Sequence, residues 1–429
     1  MLNRLDLRGV PIDELSRHLP RPVVDGDEPV DVVRAIIEQV RAGGDAALRE
    51  LADRFDGGAP AEFRVPASEL DAAWQRLDPA LRDALELAAG SIEAFHRTQR
   101  VDQHRHEHLG MVVEGFQQPV ERAGCYVPGG RAAYPSTVLM TAIPARVAGV
   151  DEVCLCVPPG PEGRIPDVTL GAARLAGVHE VYALGGAQAI AAMAYGTESV
   201  PAVDVIAGPG NVFVAIAKRE VAGDVGVAAA FAGPSEIVVI ADHAAPVAFA
   251  AVDVIVQAEH GPGGLAWLIT WEHDVADQVA LEVDSIAASS PRRDDIAATL
   301  ADGGYAVVVD SPEAAMVVSN AIAPEHLQLM TDDPRQLLPL VRNAGAVFCG
   351  PFSPASVGDY VAGPSHVLPT NGTARFAGAL TVADFCKDIH VITLDQVALD
   401  AVADSVATLA DAESLSAHAD SVRMRRSAP

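Results

Sequence analysis

Aromatic residues make up 5% of the 429-residue chain, cysteines number 5, and basic residues number 30 against 58 acidic ones. Each shortage excludes something. A formal charge of −28 repels phosphate backbones and anionic lipid, so neither nucleic acid nor a membrane surface is expected as a partner. Cys125, Cys154, Cys156, Cys349 and Cys386 are odd in number and hold no C-x-x-C, which argues against a disulfide framework and for a reducing compartment. No apolar run is long enough to span a bilayer without charge, and residues 1–7 lack the apolar centre of a signal peptide, so the expected location is the cytoplasm. The dinucleotide fingerprint G-x-G-x-x-G is also missing; Gly208-Pro209-Gly210-Asn211-Val212-Phe213 keeps its first part alone.

What is present is alternation. The chain exceeds the size at which one core stops growing, so more than one packed unit is expected. Between about residues 28 and 100 the pattern is helical, with Val33, Ile36, Ile37 and Val40 at i, i+3, i+4 and i+7. From 126 to 232 short β-like runs (152–157, 181–184, 203–207) alternate with Ala-rich helical runs, and a second such set follows at 236–241, 265–271, 306–309, 327–330 and 346–349. The fold class expected is therefore α/β, two doubly wound Rossmann-like units with parallel sheets plus helical N-terminal and C-terminal subdomains. The stretch from 395 to about 425 reads as two helices with too little apolar surface to fold alone, so it must dock elsewhere, for instance on another subunit.

Four distant segments combine metal-ligand and proton-transfer chemistry: Gln257-Ala258-Glu259-His260-Gly261-Pro262, Pro324-Glu325-His326-Leu327, Gly358-Asp359-Tyr360 with Ser365-His366, and Glu413 with His418. Their nitrogen and oxygen donors suit a borderline cation such as zinc. Gln257 and His260, three apart in a segment (252–260) that reads as helix, share a face, although a Q-x-x-H pair by itself is equally a helix cap. Asp359 is read as a Gly/Pro-rich loop residue, with an Asx-turn as its bland alternative. Glu325 and His326 form the minimum kit for moving protons near neutral pH. His104, His106 and His108 have strand-like period but are flanked by charge, and are read as a solvated segment.

In this order, the segments Tyr126-Val127-Pro128-Gly129-Gly130, Gly185-Gly186-Ala187-Gln188, Gly208-Pro209-Gly210-Asn211, Ala232-Gly233-Pro234-Ser235-Glu236 and His366-Val367-Leu368-Pro369-Thr370, together with those above, resemble the histidinol dehydrogenase family over almost the whole chain. The resemblance implies oxidation of L-histidinol through enzyme-bound L-histidinaldehyde to L-histidine, with two NAD, in histidine biosynthesis. It implies zinc held by Gln257, His260, Asp359 and His418. Substrate would be held by these four with Ser235, His326, His366 and Glu413. Tyr126, Gln188 and Asn211 would line the NAD site, and Glu325 and His326 would handle protons. A swapped homodimer would supply Glu413 and His418 from the neighbouring chain. The division expected is a first α/β domain of 1–22, 107–125 and 236–380 with most zinc and catalytic residues, a second of 126–235 with the NAD site, a helical subdomain of 23–106, and a tail of 381–429.

Two rivals stand beside this reading. One is a related zinc- and NAD-dependent dehydrogenase of another small polar alcohol; the other is a zinc hydrolase using Glu325 to activate water. NADH formed from histidinol separates them.

Overall fold

The computed structural model describes residues 1–20, 29–100, 103–129, 132–160, 163–228, 233, 235–260 and 263–426, with the backbone alone at His260. Gly130, Ala232, Pro234, Gly261 and Pro262 of the segments above lie outside the described residues, as does the start of the 23–106 stretch. Among the described residues no helix is long and apolar enough to cross a membrane.

Runs such as Glu236–Ala241 and Leu265–Thr270 are buried along their whole length, as strands covered on both faces must be. They belong to a six-stranded, all-parallel sheet with spatial order Asn3–Asp6, Gly304–Val308, Leu265–Thr270, Glu236–Ala241, His326–Met330, Ala346–Cys349. One face carries Ala250, Val254, Val279 and Ile296 from flanking helices; the other carries Leu15, Met316 and Val318. A five-stranded parallel sheet has the order Glu180–Ala183, Glu152–Val157, Arg122–Tyr126, Val205–Ala207, Gly226–Val227, again with helices on both faces. Both units are doubly wound, as the alternation requires.

Two details differ from the sequence reading. The piece 107–125 does not join the six-stranded sheet. Its end, Arg122–Tyr126, is small, wholly buried and central in the five-stranded sheet, while Met111–Pro119 pairs with His104–His108 and Cys386–Thr393 in an antiparallel three-stranded sheet. The N-terminal helices Val30–Phe55, Ala67–Arg76 and Pro79–Arg97 have no core of their own; Val33 and Ile37 enter one core of the five-stranded unit, Leu70, Trp74 and Ile92 the other. Their amphipathic stripes make them an extra layer. The tail forms helices Gln396–Ala412 and Ser416–Arg426, which pack on each other through Ala407, Ala410 and Ala419 while Val397, Leu409 and Met424 stay exposed.

Candidate active site

The site sits where the six-stranded sheet presents its N-terminal edge. Parallel pairing sets His326 beside Ile237, so Glu325 and Glu236 stand next to each other on that edge. The Glu236 peptide then grips both proton-transfer residues: its N–H donates to Glu325 Oε2 at 3.1 Å, and its carbonyl accepts from His326 Nδ1 at 3.1 Å. A carbonyl can only accept, so the neutral ring carries its proton on Nδ1 and leaves Nε2 as the acceptor. Nε2 is buried without a hydrogen-bond partner among the described residues, with Asp359 Oδ1 3.4 Å away. Glu325 Oε2 lies 3.6 Å from His326 Nδ1.

Asp359 stands in a short helix, Ala355–Tyr360, and not in the loop expected of it. Gly358, which suggested a loop, is there for space: a Cβ would come 2.6 Å from the Phe348 ring, and that ring stacks on His326 with centroids 6.0 Å apart. His326, Phe348, Asp359, Ser365 and His366 line a cleft of about 490 Å³. The α-helix read through His260 stops at Val256; Gln257 caps it and Ala258–His260 is a 3-10 turn. Gln257 is 2% exposed. The side chain of His260 lies outside the described residues.

Hydrogen bonds tie this edge to the second sheet. His366 Nδ1 donates to the Asp359 carbonyl at 2.7 Å, and its Nε2 is 3.3 Å from Thr137 Oγ1. Ser365 Oγ donates to the Met140 carbonyl at 3.0 Å. Thr137 and Met140 belong to helix Pro135–Ala148, which follows strand Arg122–Tyr126, so the edge bearing Glu325 and His326 meets the C-terminal end of the five-stranded sheet.

That end carries the three residues assigned to NAD. Tyr126 closes its strand and its hydroxyl accepts from Gly186 N at 3.1 Å; Gln188 donates to Asp56 Oδ2 at 3.3 Å; Asn211 caps helix Val212–Val221 by accepting from Val214 N at 3.1 Å. Asn211 holds its own turn, whereas Tyr126 and Gln188 reach across to distant segments. Gly208 is forced to be glycine there, with φ +106° and room for no Cβ beside the Tyr126 carbonyl. Ser235 immediately precedes Glu236 on the catalytic edge, where its carbonyl accepts from Leu265 N at 3.1 Å.

Glu413 and His418 are exposed, and among the described residues no hydrogen bond or ion pair joins either to the cleft of its own protomer. Nor do three His, Cys, Asp or Glu side chains cluster as a metal site among the described residues. His104, His106 and His108 form an exposed strand, as read.

Sequence reasoning passed over Glu236 and Lys218. Glu236 is the one acidic residue in an otherwise apolar strand, a signal that was there to be used. Lys218, 1% exposed, donates to the Gly208 carbonyl at 2.8 Å and so holds the glycine turn.

Burial pushes Glu325 from an ordinary 4.5 up to about 7 against the pull of His326. Burial and then the Glu325 charge push Glu236 to about 7 as well. Burial alone would lower His326, but Glu325 and Asp359 outweigh it and raise the ring. A carboxyl raised in the folded state stabilises most below its unfolded pKa and loses that contribution as pH climbs through the folded value. Wild-type stability is thus expected to fall from pH 4.5 to pH 7 through this pair. Glu325→Gln keeps an oxygen for the Glu236 N–H without the charge, and should be more stable than wild type by about 1–3 kcal/mol at pH 8 but not at pH 4.5. Urea unfolding at both pH values checks this; the same difference at both contradicts it.

Residues 19–426 match the family model described as histidinol dehydrogenase. The histidinol dehydrogenase of Parasynechococcus marenigrum is 50% identical, covering 92% of this chain and 90% of that one. That of Methanothermobacter thermautotrophicus is 43% identical, covering 96% of each. The crystal structure of histidinol dehydrogenase from Elizabethkingia anophelis superposes with a TM-score of 0.94 at 34% identity, over 98% of this chain and 97% of that one. A buried acid-base pair on a doubly wound α/β frame, in a chain with these relatives, has one reading: the chain belongs to the histidinol dehydrogenase family, oxidoreductases that act on an alcohol and an aldehyde.

Proposed function

We propose that the chain oxidises L-histidinol twice with NAD, through enzyme-bound L-histidinaldehyde to L-histidine, in histidine biosynthesis. The observation that carries this is the Glu236 peptide holding Glu325 and His326 side by side at the cleft. Each oxidation needs a proton acceptor next to the carbon that loses hydride. In the first, His326 Nε2 takes the hydroxyl proton, and Asp359 at 3.4 Å stabilises the imidazolium that results. In the second, Glu325 takes a proton from the water that adds to the aldehyde; a carboxyl near 7 divides between base and acid at neutral pH. Ser235, His366 and Glu413 are the groups assigned to holding the substrate.

NAD is placed at the C-terminal end of the five-stranded sheet, beside Tyr126, Gln188 and Asn211, where glycine turns open helices whose N-termini favour phosphate. Gln257, His260, Asp359 and the partner chain's copy of His418 are the proposed zinc ligands. The residues fit in donor chemistry: Gln257 offers an amide oxygen on a buried side chain, and Asp359 offers a carboxylate lining the cleft. Bound there, zinc supplies an anchor for substrate nitrogens.

The fourth ligand comes with the assembly. The tail exposes Val397, Leu409 and Met424 and leaves Glu413 and His418 unconnected to its own cleft, which suits donation across a homodimer. Free, buried Cys125, Cys154 and Cys156 suit the cytoplasm.

Asp359→Ala and His260→Ala should lose bound zinc and activity together, by at least about 100-fold in activity. Glu325→Gln should keep zinc and slow aldehyde oxidation by roughly 10²–10⁴, well beyond its effect on alcohol oxidation. Metal analysis with separate assays of the half-reactions checks both, and equal loss in the two half-reactions counts against the division of roles. Mixing inactive His418→Ala with inactive Asp359→Ala and allowing chains to exchange should restore about a quarter of wild-type activity, because half of the dimers then carry one intact site. No recovery despite demonstrated exchange rules out the donated tail.

A further inference from the structure

Converting an alcohol and a water to a carboxylate with two hydride transfers releases three protons: RCH₂OH + H₂O + 2 NAD⁺ → RCOO⁻ + 2 NADH + 3 H⁺. Glu325 and His326, which collect them, are 8% and 3% exposed. Protons therefore need a way out of a buried pair.

Glu236 links that pair to the opposite face of the sheet. Along its strand Ile237 and Val239 enter the core on the Asp359 side, while Val238 and Ile240 enter the core on the other side. Alternation puts the Glu236 side chain with Val238 and Ile240. There it lines a second cleft of about 570 Å³, with Trp267, Asn320, Asn343, Asn371 and Arg375. Glu236 Oε2 and Trp267 Nε1 are both buried with no hydrogen-bond partner among the described residues. A carboxylate oxygen and an indole N–H in that condition call for water, and a cleft of this size holds several at about 30 Å³ each. Exposed Asn371 and Arg375 stand at its mouth.

We propose that Glu236 is the proton exit of the site: the proton Glu325 takes from the adding water passes to the neighbouring Glu236 carboxylate and leaves by way of the second cleft that this side chain lines. Glu325 returns to its carboxylate form, Glu236 gains and loses one proton, and no electrons move. Burial pushes both carboxyls above the ordinary carboxylate range, so each can hold the proton in turn. The charged groups facing Glu236 are Glu325, which favours its protonated form, and Arg375 across the cleft. The peptide N–H groups of Glu325, Asn371 and Gly372 surround it as well and favour the carboxylate. The idea rests on the two-step oxidation above, and Glu236 acts through Glu325 without touching substrate.

The test compares zinc-loaded wild type with Glu236→Gln at saturating histidinol and NAD, in H₂O and D₂O, over a series of formate and imidazole concentrations. The variant should keep both KM values and lose at least about 10-fold in kcat. It should also gain a solvent isotope effect and recover turnover as the small buffer bases, formate and neutral imidazole, increase and carry the proton away. An unchanged kcat, or a loss with neither isotope effect nor buffer recovery, overturns the proposal. Ala321→Trp narrows the second cleft and leaves Glu236 in place; it should raise the solvent isotope effect in the same way. If Glu236→Gln does not fold, an Ala321→Trp enzyme with wild-type kcat and isotope effect overturns the relay. Wild type that forms no NADH from histidinol sinks the two-step reading itself, whereas normal wild type beside a normal Glu236→Gln sinks the relay alone.

Discussion

The Glu236 peptide is the fixed point of this molecule's chemistry. Its N–H orients a carboxylate and its carbonyl fixes an imidazole tautomer, so the acid-base pair is positioned by main chain. Backbone in the middle of a parallel sheet is among the most rigid material a protein has, and sites built on such elements hold geometry better than sites on loops. The cost is burial of charge: Glu236 and Glu325 crowd each other at an edge with little water, and both resist ionisation until about pH 7. Stability given up there leaves a base poised at the pH of the cell.

Doubly wound sheets usually bind ligands beyond the C-terminal ends of their strands. With NAD where we propose it, the five-stranded unit follows that rule, since Tyr126, Gln188 and Asn211 all stand at that end. The six-stranded unit does not. Glu236, Glu325 and His326 stand at N-terminal strand ends, and Gln257 reaches the same edge because its helix runs antiparallel to the strand before it. The contacts of Ser365 and His366 with helix Pro135–Ala148 bring the two unlike edges together. Neither unit holds a complete site.

Much of the frame was legible because its signals are local. Glu152–Val157, Glu236–Ala241 and Ala346–Cys349 are apolar runs bounded by charge, glycine or proline, and the pattern alone sets their ends; the two tail helices are legible for the same reason. Asn3–Asp6 is polar at every position but Leu5 and becomes a strand by pairing with Gly304–Val308, a partner no local pattern names. The antiparallel sheet of Met111–Pro119 and Cys386–Thr393 depends in the same way on segments far apart in the chain. Among the site residues, Gln257, Asp359 and Glu325 were ambiguous singly and gained meaning from the order of the motifs. Gly358 misled because it serves the Phe348 ring and not a turn, and the backbone hydrogen bonds of Glu236 to Glu325 and His326 depend on strand pairing, which no local pattern reveals.

The central claim is that one cleft, on one acid-base pair, performs both oxidations without releasing the aldehyde. The most direct measurement is the ratio of NADH to histidine formed by the purified, zinc-loaded protein given histidinol and NAD, with an aldehyde trap in solution. The account predicts two NADH per histidine and no trapped aldehyde. One NADH per histidinol consumed, with aldehyde in the trap, or no NADH at all, would contradict it.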